Sequence, residues 1–120
     1  MTKLLLTIAV FLTLQGTAAA VRVIEDVENS AELNLQQLTL PSSNVGTVSF
    51  TACDGCRPSM HRLTSATQYI LNGQNLAFLE FAQAAAEIRA NSAASDKSIV
   101  GVYFDLTSGH VTRITLRAPR

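Results

Sequence analysis

The sequence predicts a small α+β domain: an antiparallel sheet made of hairpins, with one helix over residues 76–90 packed on one face. Three observations predict it. Short segments with alternating apolar residues recur between turn-forming dipeptides, as in half-buried strands. Only Leu76 to Ala90 carries apolar residues at three- and four-residue spacing, the mark of a helix with one buried face. The connections are short, and short connections join antiparallel strands.

Residues 1–20 read as an export signal ahead of that domain. Met1-Thr2-Lys3 carries one positive charge, Leu4 to Leu14 is apolar, and Gln15 to Ala20 ends in small residues with an A-x-A pattern. This succession marks a secretory signal cut after Ala20. A helix of those eleven apolar residues is about 16 Å long, against a hydrocarbon core of roughly 30 Å. An uncleaved short anchor is the competing reading. No cysteine lies near the cut, so a lipid anchor on a new N-terminal Cys is not available; the first cysteine is Cys53. The expected location is periplasmic or secreted, with no stable membrane anchor after cleavage. No Asn-x-Ser/Thr sequon occurs, which fits a bacterial source.

Cleavage removes Lys3 and leaves eight basic residues against nine acidic ones, a net charge of about −1. That balance makes no long-range field for nucleic acid or anionic lipid, so nucleic acid is excluded as a partner. With 48% hydrophobic and 15% charged residues, the chain has the composition of a packed domain.

Val21 to Glu32 holds Glu25, Asp26, Glu28 and Glu32, and reads as an acidic N-terminal arm, solvated or briefly helical. The domain proper is expected over 33–120. Leu33 to Leu40 alternates, but its apolar phase shifts between Leu35 and Leu38; a strand with a bulge at Gln36-Gln37 accounts for this. Pro41 to Asn44 is a turn cluster. Thr47 to Cys53 reads as a strand with Val48, Phe50 and Ala52 on one face and Thr51 and Cys53 on the other. Asp54-Gly55 predicts a type I′ hairpin turn between the cysteines. Ser59 to Thr64 returns as a strand, which Pro58 confines to an edge. Gln68 to Leu71 meets Asn72-Gly73, a second I′ signal, and Gln74 to Leu76 pairs back.

In the helix, Phe78, Phe81, Ala82, Ala85 and Ile88 or Arg89 form the inner stripe. Asn75 is the expected N-cap, and Glu80 and Glu87 stay outside. The stripe is expected to pack on strands containing Phe50, Val102 and Phe104. Asn91 to Ser98 reads as a polar linker with Asn91 as C-cap. Ile99–Leu106 and Val111–Leu116 form a closing hairpin around Thr107-Ser108-Gly109. Val100, Val102, Phe104 and Leu106 are expected inward on one strand; Thr112, Ile114 and Leu116 on the other.

Chemistry concentrates in Cys53-x-x-Cys56, for which three readings compete. In an oxidising compartment the pair forms a structural disulfide; so short a loop contributes about 2 kcal/mol. A redox dithiol would want the first Cys at a helix N-terminus, and the residues after Cys56 lack helical spacing. A metal site would recruit His61 and His110 to Cys53 and Cys56, but the usual close His pair is missing. The structural disulfide is the reading adopted, with no metal and no cofactor.

Arg113 and Arg117 share a strand face and mark either a solvated surface or a site for an anion or acidic partner. No G-x-S-x-G, no H-E-x-x-H and no Gly-rich phosphate loop occurs, so no catalytic residue is assigned. The expected function is a non-enzymatic exported domain that binds a protein or envelope component. The alternative is a thiol-based redox or metal-binding protein using Cys53 and Cys56.

Overall fold

Eight strands and two helices form two sheets in the computed structural model, which describes residues 28–119. The export signal and residues 21–27 of the acidic arm lie outside the described residues. The elements are β1 (Glu28–Leu33), a 3-10 turn (Leu35–Gln37), β2 (Leu38–Thr39), β3 (Thr47–Phe50), β4 (Ser59–Arg62), β5 (Gln68–Leu71), β6 (Gln74–Leu76), α1 (Phe78–Ala90), α2 (Ser92–Asp96), β7 (Ile99–Asp105) and β8 (Val111–Arg117). The larger sheet has the order β1-β7-β8-β5-β6; the smaller has β2-β3-β4. The class is α+β, as the sequence predicts. One pairing was not anticipated: β5 and β8 run parallel. The crossover between them contains both helices, the long connection that a parallel pair requires.

Several local expectations are corrected. Glu28–Leu33 is not part of an arm; it pairs antiparallel along β7, with Glu28 opposite Asp105 and Leu33 opposite Val100. Its alternation buries Leu33 and leaves Ser30 and Glu32 exposed. The glutamines form the 3-10 turn and not a bulge. The Asn34 side chain accepts from the Gln36 N–H (3.0 Å), and the Gln37 side chain accepts from the Asn34 N–H (2.9 Å). This reciprocal cap lets both Leu35 and Leu38 reach the core.

Asn72 (φ 48°) and Gly73 (φ 85°) make the predicted I′ turn. Asp54-Gly55 does not make one. Gly55 has φ 80°, but among the described residues Asn72 is the only non-glycine with positive φ. The Cys56 N–H closes a single β-turn on the Cys53 carbonyl (3.1 Å). This turn sits in a loop after the ladder has ended at the Phe50–Ser59 pair, and Ala52 is exposed.

Asn75 cannot cap α1 because it belongs to β6, opposite Ile70. Ala77 takes the N-cap position, and the Glu80 carboxylate accepts from its N–H (3.3 Å). Asn91 ends α1 and caps α2 through the Ala94 N–H (3.2 Å), so the expected linker contains a helix. On β8, Val111 and not Thr112 points inward. A register shift between Tyr103 and Phe104 sets Phe104 opposite Val111, and Leu106 falls beyond the strand, exposed.

One core joins the two sheets. Val48, Phe50 and Leu38 from the smaller sheet pack with Val100, Val102, Ile114 and Leu116 from the larger. Helix α1 lies on β5 and the 3-10 turn, with Phe78 and Phe81 meeting Tyr69 at ring separations of 5.3 and 5.6 Å. Phe50 and Phe104 share this core, but their aromatic partner is His61 and not the helix. Since α1 and the core occupy one side of the larger sheet, the alternate residues of its strands form the opposite side.

Candidate functional site: the open face of the larger sheet

The strand register fixes what stands on that opposite side. Glu32, Gly101, Thr115 and Ile70 lie in one row across β1, β7, β8 and β5. Ser30, Tyr103, Arg113 and Gln68 form the row on one side of it; Ile99 and Arg117 stand on the other.

Gly101 lies among the residues that line a depression in this face. A Cβ there would stand 2.8 Å from the Thr115 hydroxyl oxygen and 3.0 Å from Tyr103 Cε1, so the tyrosine ring occupies the space a side chain would need. The other contact on the ring is the Arg113 guanidinium, whose central carbon is 3.9 Å from the ring centroid. Arg113 also pairs with Glu28 (3.2 Å), and Glu28 accepts from the Thr112 hydroxyl. Both charged side chains are about one-third exposed. Water therefore screens the pair, and its main effect is to hold Arg113 against the ring.

The result is a cleft of about 430 Å³ whose walls include Glu32, Ile70, Ile99, Tyr103, Thr115 and Arg117. Glu32 and Arg117 are exposed, and neither makes an ion pair among the described residues. They are two strands and two residues apart, about 11 Å between Cα atoms from ordinary sheet spacings. The cleft thus carries opposite charges on either side of an apolar and hydroxyl-bearing floor. Of the two predicted arginines, Arg117 lines it and Arg113 braces its wall. Sequence reasoning missed Glu32, Gly101 and Tyr103. A glycine inside an apolar strand with a tyrosine two positions on was the available signal.

Cys53 and Cys56 lie away from this face, at disulfide distance, with Cα atoms 5.2 Å apart. Cys53 is exposed and Cys56 half-buried. Strand β4 follows them, so no helix dipole reaches either sulfur. His61 is engaged elsewhere. It stacks on Phe104 (3.9 Å) and Phe50 (5.7 Å), and its Nδ1 is 2.8 Å from the Gly109 carbonyl oxygen. His110 is exposed. The four residues of the metal alternative are not brought together: among the described residues, no three His, Cys, Asp or Glu side chains gather closely enough to hold a metal ion.

Among the described residues two titratable groups are displaced, one at a turn and one in the core. The Ser108 and Thr107 N–H groups both donate to Asp105 and hold its carboxyl below the usual range. Burial pushes the Tyr69 phenol up, opposed by the nearby Thr67 hydroxyl. That hydroxyl is already committed: it accepts from the Thr64 N–H (2.9 Å) and donates to the Val111 carbonyl (2.7 Å). The Tyr69 oxygen has no hydrogen-bond partner among the described residues. Comparison of the chain with protein-family models, curated proteins and solved structures returns no match.

Proposed function

We propose that this chain is a small exported binding domain, periplasmic or secreted, that engages a protein or envelope component through the open face of its larger sheet and catalyses no reaction. One observation carries the reading: the cleft over Gly101, with a braced tyrosine wall and charges of opposite sign at Glu32 and Arg117 that are unpaired among the described residues. Concave surfaces with an apolar floor and a few placed polar groups are what binding sites require. The order of charged, apolar and small residues over 1–20 supports export.

A photo-cross-linking side chain at Thr115, compared with one at Gln83 on the exposed side of α1, tests the reading. A specific product is expected at Thr115 and its loss on Arg117→Glu. Equal labelling at both positions, or none at Thr115, overturns it.

A thiol-based function is the second reading, supported by the exposed position of Cys53 and by Arg57, which follows Cys56 in the chain. Under it, replacing both cysteines with serine removes function and leaves the fold. Under the first reading the same variant keeps its cross-link at Thr115.

A further inference from the structure

We infer that the occupant of the cleft is a second copy of this chain, joined face to face about a two-fold axis. The inference rests on the reading of the open face as a binding surface and names its partner. The carrying observation is that the face is charge-complementary to itself.

A two-fold axis lying in the interface exchanges two positions equidistant from it. An axis crossing midway between Glu32 and Arg117 places the Glu32 of each copy over the Arg117 of the other. One geometry forms two equivalent ion pairs. The midpoint falls on β7, between Ile99 and Gly101, because Glu32 shares a row with Gly101 and Arg117 pairs with Ile99. Ile99 is the large apolar residue of this face with the most exposure, at 45%. It stands beside its own symmetry mate near the axis, an apolar centre between two charged flanks. The Tyr103 ring lies over Gly101, and Arg113 holds it there in advance of contact. Overall charge opposes the pairing little: the formal net charge is +0 for the full chain and about −1 once Lys3 is removed with residues 1–20, and net charge near zero favours association.

Size sets the strength. Four strands by six residues is a flat area of roughly 400 Å², below the usual 800 Å² per partner. The dimer is therefore weak and concentration-dependent, and the charge pairs decide its specificity.

Sedimentation velocity of the purified chain over a concentration series tests this, with Glu32→Arg and Arg117→Glu as variants. Both residues are exposed, so the fold tolerates the changes. The wild type is expected to move from monomer to dimer. Each variant alone sets like charges opposite each other twice and should associate at least about tenfold more weakly. Mixed together, the two variants restore both ion pairs in a heterodimer and should regain wild-type association. That rescue separates a specific interface from general stickiness, and it shows that both variants are folded.

A wild type monomeric at every concentration, or dimerising variants that are not rescued by mixing, overturns the inference. A monomer that still cross-links to a different protein at Thr115 overturns the homodimer alone and leaves the reading of the face standing. A monomer with no product at Thr115 overturns both.

Discussion

Tyr69 is a residue on which burial and hydrogen bonding disagree. The residue is 5% exposed, packed beside Phe78 and Phe81, and among the described residues its hydroxyl has no hydrogen-bond partner. An unpaired buried hydroxyl costs about 1–3 kcal/mol. Tyr69→Phe keeps the ring contacts and removes the orphan, so its unfolding midpoint should equal or exceed that of the wild type. A clear drop in chemical denaturation would reveal a partner for the hydroxyl. Asp105 shows the opposite balance. Asp105 is half-buried at its turn, and two N–H donors favour the ionised form. Its folded pKa is depressed, so the turn's contribution is present above the unfolded value of about 3.9 and is lost as pH falls through the folded value. An NMR titration of Asp105 should show a midpoint below that of an unstructured aspartate. Asp105→Asn keeps an acceptor oxygen and should remove this acid dependence. A midpoint at or above the ordinary range would show that the Thr107 and Ser108 contacts do not persist.

At the scale of elements, legibility followed locality. The β5–β6 turn could be read because Asn-Gly imposes positive φ on two adjacent residues without help from the rest of the chain. The β7–β8 strands could be read because Val100, Val102, Ile114 and Leu116 repeat at the period of a strand. Where one pattern admits two solutions, the sequence does not decide between them: the apolar shift at Leu35–Leu38 fits a bulge or a 3-10 turn equally well. Strand β1 was hidden by its acidic residues, since only the edge offered by β7 makes it a strand. Helix α2, with five residues, is too short to show a period. The cleft suffered most. Arg113 and Arg117 are visible as neighbours on one strand, but Glu32 joins the row of Gly101 and Thr115 only through pairing between segments about seventy residues apart. Helix α1 provides two tests. Phe81, 1% exposed, fills the space between α1 and β5; Phe81→Ala should cost about 3–5 kcal/mol in thermal or chemical unfolding. Arg89 donates to the carbonyls of Leu35 (3.1 Å) and Leu38 (2.8 Å), tying α1 to the first residue of the 3-10 turn and to the residue that follows it. Arg89→Met removes both bonds and should cost about 1.5–3 kcal/mol. No change in either variant would mean that α1 is not docked as described.

Across the whole molecule, the question is whether two sheets make one cooperative unit. They share a single core, and His61 bridges them further: it rises from β4, stacks on Phe104 of β7 and contacts the Gly109 carbonyl in the β7–β8 turn. A chain of this size with a shared core should unfold in one step. The Cys53–Cys56 pair stands outside that core, on an exposed loop between β3 and β4. A bond between them closes a loop of four residues and restricts the unfolded chain only slightly. Loop-closure entropy puts its contribution at about 2 kcal/mol or less. Replacing both cysteines with serine should therefore lower the midpoint of a single transition and create no second one. Calorimetry provides the check, through the ratio of calorimetric to van't Hoff enthalpy, which should stay near unity in the variant. A separate low-temperature transition in the variant would show that the smaller sheet depends on the cysteines for its attachment. The shared core would then not be the force that holds the two sheets together.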